Sequence, residues 1–139
     1  MTGDRLRVGL RHTRTVAVGA ALAVPAASGL FAVTADMPPV FATAQMIAFV
    51  EWTCVAALAP FIAPHQRTVG TRVEISHLSA TPIGMNVTAE VELVEIDGRR
   101  LRFAATCRDE AEVIGEGFHE RVIVDYARFL ARLTRKQGG

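Results

Sequence analysis

Three side chains in the middle of the chain have types suited to acid–base chemistry. Glu51 lies in an otherwise apolar stretch, where a carboxylate is costly to bury without a partner. His77 follows Ile75 by two residues in a strand-like segment, so both should face the core, and an imidazole near a carboxylate is an acid–base pair. Thr43 precedes Glu51 by eight residues. Each also has a structural interpretation: Glu51 on the one wet helix face, His77 as a satisfied core residue and Thr43 as a helix cap.

The spacing of Thr43 and Glu51 limits what they can do together. On one straight helix, they would lie about 12 Å apart along the axis and about 80° apart in rotation, so the side chains would not touch. They can face one pocket only if Thr43 lies in the turn before the helix and the chain folds back. The residue types alone therefore predict a pocket without defining its reaction.

Two further residues are suited to binding charged groups. Gly70 immediately precedes the strand-like segment and offers either a backbone N–H to a developing oxyanion or a simple turn. Arg121 ends the polar triplet His119-Glu120-Arg121 and is suited to phosphate, with a solvated surface charge as the alternative.

Thiol and zinc chemistry are not indicated. Cys54 and Cys107 have no evident activating group, and two cysteines do not make a secreted disulfide framework. The sequence contains neither CxxC nor HExxH, so we expect no metal site.

The element that must position Glu51 is a long helix. Apolar residues recur at spacings of three and four from Thr43 to Pro60, with few polar side chains between them. This pattern predicts a helix that is buried nearly all round, with Thr43 as its N-cap. Pro60 and Pro64 should end it.

Strand-like patterns surround this helix in the sequence. The expected strands are 12–24, 71–80, 85–93, 101–107 and 113–125, with a two-residue hairpin turn at Asp97-Gly98. A short basic helix is expected over 126–135. The order predicts an α+β arrangement, in which an antiparallel sheet of about five strands cradles one helix.

Composition bounds the class of protein. The chain has 139 residues, with 15 Lys and Arg against 14 Asp and Glu, and its net charge of +1 argues against a nucleic-acid binder. With 50% hydrophobic residues it is not intrinsically disordered. We expect a single domain over 1–139, with a frayed tail at 136–139.

The uncharged segment 15–35 has two interpretations. Preceded by four arginines, it resembles a signal peptide, which would make the protein exported or anchored. However, a membrane span needs about 20 strongly apolar residues, and this segment is rich in alanine and interrupted by Pro25. We favour a first strand and a loop within 1–35, in a cytoplasmic protein without membrane contact.

A series of short motifs is spread over residues 37–125. They are Pro38-Pro39-Val40-Phe41-Ala42-Thr43, Met46-Ile47, Glu51-Trp52, Gly70-Thr71, Ser76-His77, Ala80-Thr81-Pro82 with Gly84, and Gly115-Glu116-Gly117-Phe118-His119-Glu120-Arg121. In these motifs the sequence resembles the fluoroacetyl-CoA thioesterase family, and the spacing between them carries most of the specificity.

The resemblance implies a fold, a reaction and a set of site residues. The fold is the hot-dog fold in a homodimer, and the reaction is hydrolysis of an acyl-CoA thioester to a carboxylate and free CoA. The implied catalytic residues are Thr43, Glu51 and His77, with Gly70 and Arg121 as substrate contacts. Glu51 would attack the carbonyl or activate water. No metal or cofactor is implied, because CoA enters as part of the substrate.

One departure from the family concerns selectivity. The family closes its pocket with an aromatic lid before the helix, whereas Met37 stands at the expected aromatic position here, with Phe31 as the candidate substitute. We therefore expect a small-acyl-CoA thioesterase without assuming fluoroacyl selectivity. The alternatives are a hot-dog enoyl-CoA hydratase or dehydratase and a non-catalytic acyl-CoA binding module.

Overall fold

The computed structural model describes residues 5–24 and 37–138. Its elements are β1 (Arg11–Ala17), a 3-10 turn (Ala20–Leu22), α1 (Thr43–Leu58), a second 3-10 turn (Ala59–Phe61), β2 (Gln66–His77), β3 (Asn86–Asp97), β4 (Arg100–Arg108), β5 (Val113–Asp125) and α2 (Tyr126–Lys136). The expected α+β class is confirmed. Phe31 and the rest of 25–36 lie outside the described residues.

One antiparallel sheet carries all five of these strands, in the order β1-β3-β4-β5-β2. Alternate residues of the central strands form its buried face: Val87, Ala89, Val91, Leu93, Leu101, Phe103, Ala105 and Cys107. The helix α1 covers that face with a helically spaced set that includes Met46, Val50, Cys54 and Leu58. The core therefore forms between the sheet face made by alternate strand residues and the helix face made by residues three and four apart.

The expectation that α1 is buried nearly all round is wrong for the single chain. The sheet covers one side of the helix, and Trp52 and Val55 are 46% and 42% exposed on the other. By length and composition, the segment Thr43–Phe61 is apolar enough to cross a membrane. Seven residues of α1 are buried, as is usual for the core helix of a folded domain.

Several boundaries differ from those expected. Ala42 rather than Thr43 is the N-cap of α1, and it makes no side-chain cap bond. The strand β1 ends at Ala17, because a 3-10 turn follows instead of a continued strand. The hairpin turn is Gly98-Arg99, one residue later than expected, because Gly98 adopts a positive φ of 60°. The helix α2 continues to Lys136, so the tail beyond it is shorter than expected.

Candidate active site

The carboxylate of Glu51 lies against β2 and β5. Its Oε2 is 3.4 Å from Nη1 of Arg121 and 3.9 Å from Nε2 of His119. Gly70 and Arg121 are directly paired across β2 and β5, which places the glycine at the same point. The Glu51 side chain is 41% exposed, so the carboxylate has a cation beside it and remains accessible to solvent.

Four hydrogen bonds hold the guanidinium of Arg121, whose side chain is only 8% exposed. Its Nε donates to Thr68 Oγ1 and its Nη2 to the Thr68 carbonyl, both at 3.0 Å. Its Nη1 donates to His119 Nε2 at 3.1 Å and to Glu51 Oε2 at 3.4 Å. Because a guanidinium has five N–H groups, nearly all are engaged, and the cation is fixed in place.

His119 is buried and takes part in this network through both ring nitrogens. Its Nδ1 lies 2.8 Å from the carbonyl oxygen of Arg72, which can only accept a hydrogen bond, so Nδ1 carries the proton. Its Nε2 then accepts from Arg121. Burial lowers the pKa of His119 from 6.5, and Arg121 lowers it further, while the Arg72 bond and Glu51 oppose these effects. The ring is therefore neutral at pH 7.

Gly70 is required here because a side chain would not fit, and not because of its backbone conformation. A Cβ at this position would lie 2.7 Å from Glu51 Oε2, 3.2 Å from His119 Cε1 and 3.3 Å from Arg121 Nη1. A bulge between Gly70 and Arg72 interrupts the pairing of β2 with β5 at the same point. The absence of a side chain lets the backbone approach the carboxylate and the cation directly.

A second polar pair lies at the beginning of α1. The Oγ1 of Thr43, the first residue of α1, is 2.6 Å from Nδ1 of His77, the last residue of β2. The Nε2 of His77 is buried and has no hydrogen-bond partner among residues 5–24 and 37–138. A buried polar atom without a partner is costly, so this nitrogen is a candidate to bind a group from outside the chain.

Within one chain, the Glu51 cluster (Glu51, Gly70, His119 and Arg121) is separate from the Thr43–His77 pair. Because Thr43 lies inside α1, the helical rise puts it about 12 Å along the axis from Glu51. Along β2, Gly70 and His77 are separated by roughly 23 Å at the usual strand rise. The structure thus brings Glu51, Gly70 and Arg121 together, and Thr43 and His77 together, but it does not join the two groups.

The contribution of His119 was not predicted from the sequence. Residues two apart in a strand share a face, so His119 and Arg121 point together toward Glu51. Glu120, between them, points to the opposite face, where it forms ion pairs with Arg100 at 3.0 Å and with Arg102. The triplet therefore serves two separate networks, and strand alternation was the signal available to separate them.

The two cysteines are poor nucleophiles. Both are buried free thiols, and burial raises the pKa of Cys54 to about 12 and that of Cys107 to about 11. In the described part of the chain, no group of three or more His, Cys, Asp or Glu side chains is arranged to hold a metal ion.

Comparison of the sequence with known proteins gives a family match and a curated relative. The family described as fluoroacetyl-CoA-specific thioesterase matches residues 24–127. The fluoroacetyl-CoA thioesterase of Streptantibioticus cattleyicolor is 39% identical over 102 residues, which are 73% of each chain. The family match over residues 24–127 includes Thr43, Glu51, Gly70, His77, His119 and Arg121.

Solved structures agree with the fold. The structure of the fluoroacetyl-CoA thioesterase FlK has a TM-score of 0.90 and 36% identity, covering 96% of this chain and 98% of its own. A thioesterase superfamily member from Thermus thermophilus has a TM-score of 0.85 and 24% identity, covering 95% and 93%. A hot-dog-like protein from Thermanaerovibrio acidaminovorans has the same TM-score, at 21% identity and the same coverage. The expected hot-dog fold is confirmed.

Proposed function

The chain belongs to the fluoroacetyl-CoA-specific thioesterase family, and on that premise we propose that it hydrolyses small acyl-CoA thioesters to a carboxylate and free CoA. The observation that carries the proposal is a solvent-accessible carboxylate, Glu51, 3.4 Å from the buried cation of Arg121 and beside the open backbone of Gly70. Glu51, which can act as a nucleophile or a base, therefore lies next to the Arg121 cation and the Gly70 backbone, and both of these can stabilise developing negative charge.

Glu51, Gly70 and Arg121 each have a role in the proposed reaction. Glu51 takes a proton from water while the hydroxyl adds to the thioester carbonyl, or its own oxygen adds first to form an acyl-enzyme that water then cleaves. The Gly70 N–H and Arg121 stabilise the oxyanion. The C–S bond then breaks, and the CoA thiolate leaves and takes up a proton. Because the Arg121 side chain is 8% exposed, its contact is better suited to the thioester than to solvated phosphates.

A groove beside this cluster is suited to the pantetheine arm of CoA. A cavity of about 360 Å³ opens between the end of α1 and the start of β2, lined in part by Val55, Ile62, Arg67 and Thr68. Val55 lies one helical turn beyond Glu51, and Thr68 binds Arg121. The groove therefore leads away from the proposed reaction centre.

We further propose that a homodimer completes the site. Thr43 and His77 lie too far from Glu51 to act on the same carbonyl within one chain. In the described sheet, β2 is an edge strand, and α1 leaves Trp52 and Val55 exposed, so both elements have surface available for a second copy. In this arrangement, the Thr43–His77 pair of one protomer faces the Glu51 cluster of the other.

Release of free CoA thiol from a panel of small acyl-CoA esters, including acetyl, fluoroacetyl and propionyl, tests the reaction. Glu51→Gln should keep the fold and lose turnover by about 10²- to 10⁴-fold, because an amide is neither nucleophile nor base. The matched control is Glu116→Gln, at an exposed position on β5, which should hydrolyse at the wild-type rate. Wild-type turnover by the Glu51→Gln protein would refute the assignment.

Mixing two inactive variants tests the shared site. In a heterodimer of Thr43→Ala with Glu51→Gln chains, one of the two sites would contain both unaltered residues. Random re-association should then restore about a quarter of the wild-type activity, as two-fold symmetry requires. Activity no higher than that of the separate variants, in a mixture shown to contain heterodimers, would refute a site shared between protomers.

A further inference from the structure

We propose that His119 is a positioning residue of this site: as the neutral Nδ1–H tautomer, it holds the Arg121 guanidinium so that the Glu51 carboxylate stays free to react. The proposal rests on the proposed function for its catalytic consequence. Its structural part rests on contacts among α1, β2 and β5.

The contacts of His119 allow only one tautomer. The Arg72 carbonyl can only accept, and Arg121 Nη1 can only donate, so Nδ1 must carry the hydrogen and Nε2 must be bare. The opposite tautomer would set two N–H groups against each other across 3.1 Å, and two lone pairs against each other across 2.8 Å. Two favourable contacts would become two repulsive ones around a buried side chain.

The position of His119 matters because it shares one guanidinium nitrogen with Glu51. The Nη1 of Arg121 lies 3.1 Å from His119 Nε2 but 3.4 Å from Glu51 Oε2. A fully formed guanidinium–carboxylate pair would be closer, at about 2.7–2.9 Å. By taking the shorter hydrogen bond, His119 keeps Arg121 from closing onto Glu51, so the carboxylate retains lone pairs for water or the thioester. Loss of the imidazole acceptor should therefore slow the chemical step more than it weakens substrate binding.

Two substitutions separate the two hydrogen bonds of His119. His119→Gln places an amide oxygen near the position of Nε2, so it can still accept from Arg121. His119→Asn places its amide nitrogen near Nδ1, so it can still donate to Arg72 but leaves Arg121 without the acceptor. His65→Asn, at an exposed position outside the cluster, is the matched control and should leave both kcat and KM unchanged.

The expected result is a split between kcat and KM. His119→Asn should lower kcat by about 10- to 100-fold with KM nearly unchanged, because a small displacement of a reacting group has costs of this size. His119→Gln should restore kcat to within about fivefold of wild type, because it keeps the acceptor for Arg121 and loses only the hydrogen bond to the Arg72 carbonyl, worth about 1 kcal/mol. Equal losses in the two variants, both folded by circular dichroism, would refute the positioning role. A change in KM alone would refute it as well.

The tautomer can be measured without turnover. Nitrogen-15 NMR of the imidazole should show a protonated Nδ1 and a bare Nε2 for His119 at neutral pH. If the wild type hydrolyses no ester of the panel, the proposed function is refuted. If it hydrolyses esters but His119 carries its proton on Nε2, only the positioning role is refuted.

Discussion

Replacing Gly70 with alanine adds one methyl group to the most crowded point of the proposed site. The position does not need glycine for its backbone conformation, since it is not among the glycines of positive φ. The added Cβ would lie 2.7 Å from Glu51 Oε2, well inside the 3.4 Å at which ordinary contact begins. The Gly70→Ala protein keeps its backbone N–H. Any loss of activity would therefore reflect displacement of the carboxylate or of the substrate, and not the loss of a donor.

The size of the effect follows from these distances. Relieving the contact requires the carboxylate to move by about 0.7 Å, and misplacement on the scale of 1 Å costs about 10²-fold in rate. We therefore expect kcat to fall by about 10- to 100-fold. Stability should change little. The carboxylate ends a flexible side chain that can swing away, and Gly→Ala at a compatible position restricts the unfolded chain, a gain of roughly 0.4–1 kcal/mol.

The assay is thiol release for kcat and KM, beside thermal unfolding followed by circular dichroism. Gly19→Ala is the matched control. That glycine has no heavy atom within 4 Å of an added Cβ and no positive φ, so its substitution should leave kcat and KM unchanged and shift the unfolding temperature only slightly upward. A Gly70→Ala protein that unfolds at the wild-type temperature and retains the wild-type kcat would refute the argument that Glu51 must occupy this space.

Two further predictions concern groups whose pKa values are shifted. The wild-type protein should lose stability as the pH falls below about 6.5: the folded-state pKa of His119 is lowered, so the unfolded chain binds the proton first. Denaturant titrations at a series of pH values should show that the free energy of unfolding depends less on pH in His119→Gln than in the wild type. Glu51, Glu120 and Arg121 remain as the charged groups near residue 119 in the variant. Identical pH dependence in the two proteins would contradict the argument that burial lowers the pKa of His119. Cys54 and the other buried thiol should resist iodoacetamide in the folded protein near pH 8, because their pKa values are about 12 and about 11; rapid labelling without unfolding would contradict this.

The sequence patterns predicted those parts of the fold that repeat along the chain. The alternation in β3 and β4 predicted the buried face of the sheet, and the helical spacing in α1 predicted the buried face of the helix. In the structure these two faces form the core. The ends of elements were predicted less well, because they depend on single residues. Thr43 is the first residue of the helix and Ala42 is its N-cap, and the hydroxyl of Thr43 is engaged with His77 instead of a backbone N–H.

The site was predicted unevenly for a related reason. Glu51 stands out because a carboxylate interrupts an apolar helix. The closeness of Gly70 and Arg121 depends on the pairing of β2 with β5, which the periodicity of either strand does not encode. The family resemblance implied that both residues contact substrate, but their closeness is seen only in the strand pairing. Thr68 gave no signal, since a threonine in a strand is ordinary and its importance lies in the two hydrogen bonds it accepts.

The alternation of charge along β5 bears on how the sheet avoids misfolding. If β5 slipped by one residue against its neighbours, Glu120 would turn toward Glu51, while His119 and Arg121 would turn outward. Two carboxylates would then face each other without a cation, and Arg102 would lose its partner on the outer face. The slipped arrangement is thus penalised on both sides of the sheet at once. The alternation of His119, Glu120 and Arg121 therefore also favours the correct register of β5 during folding.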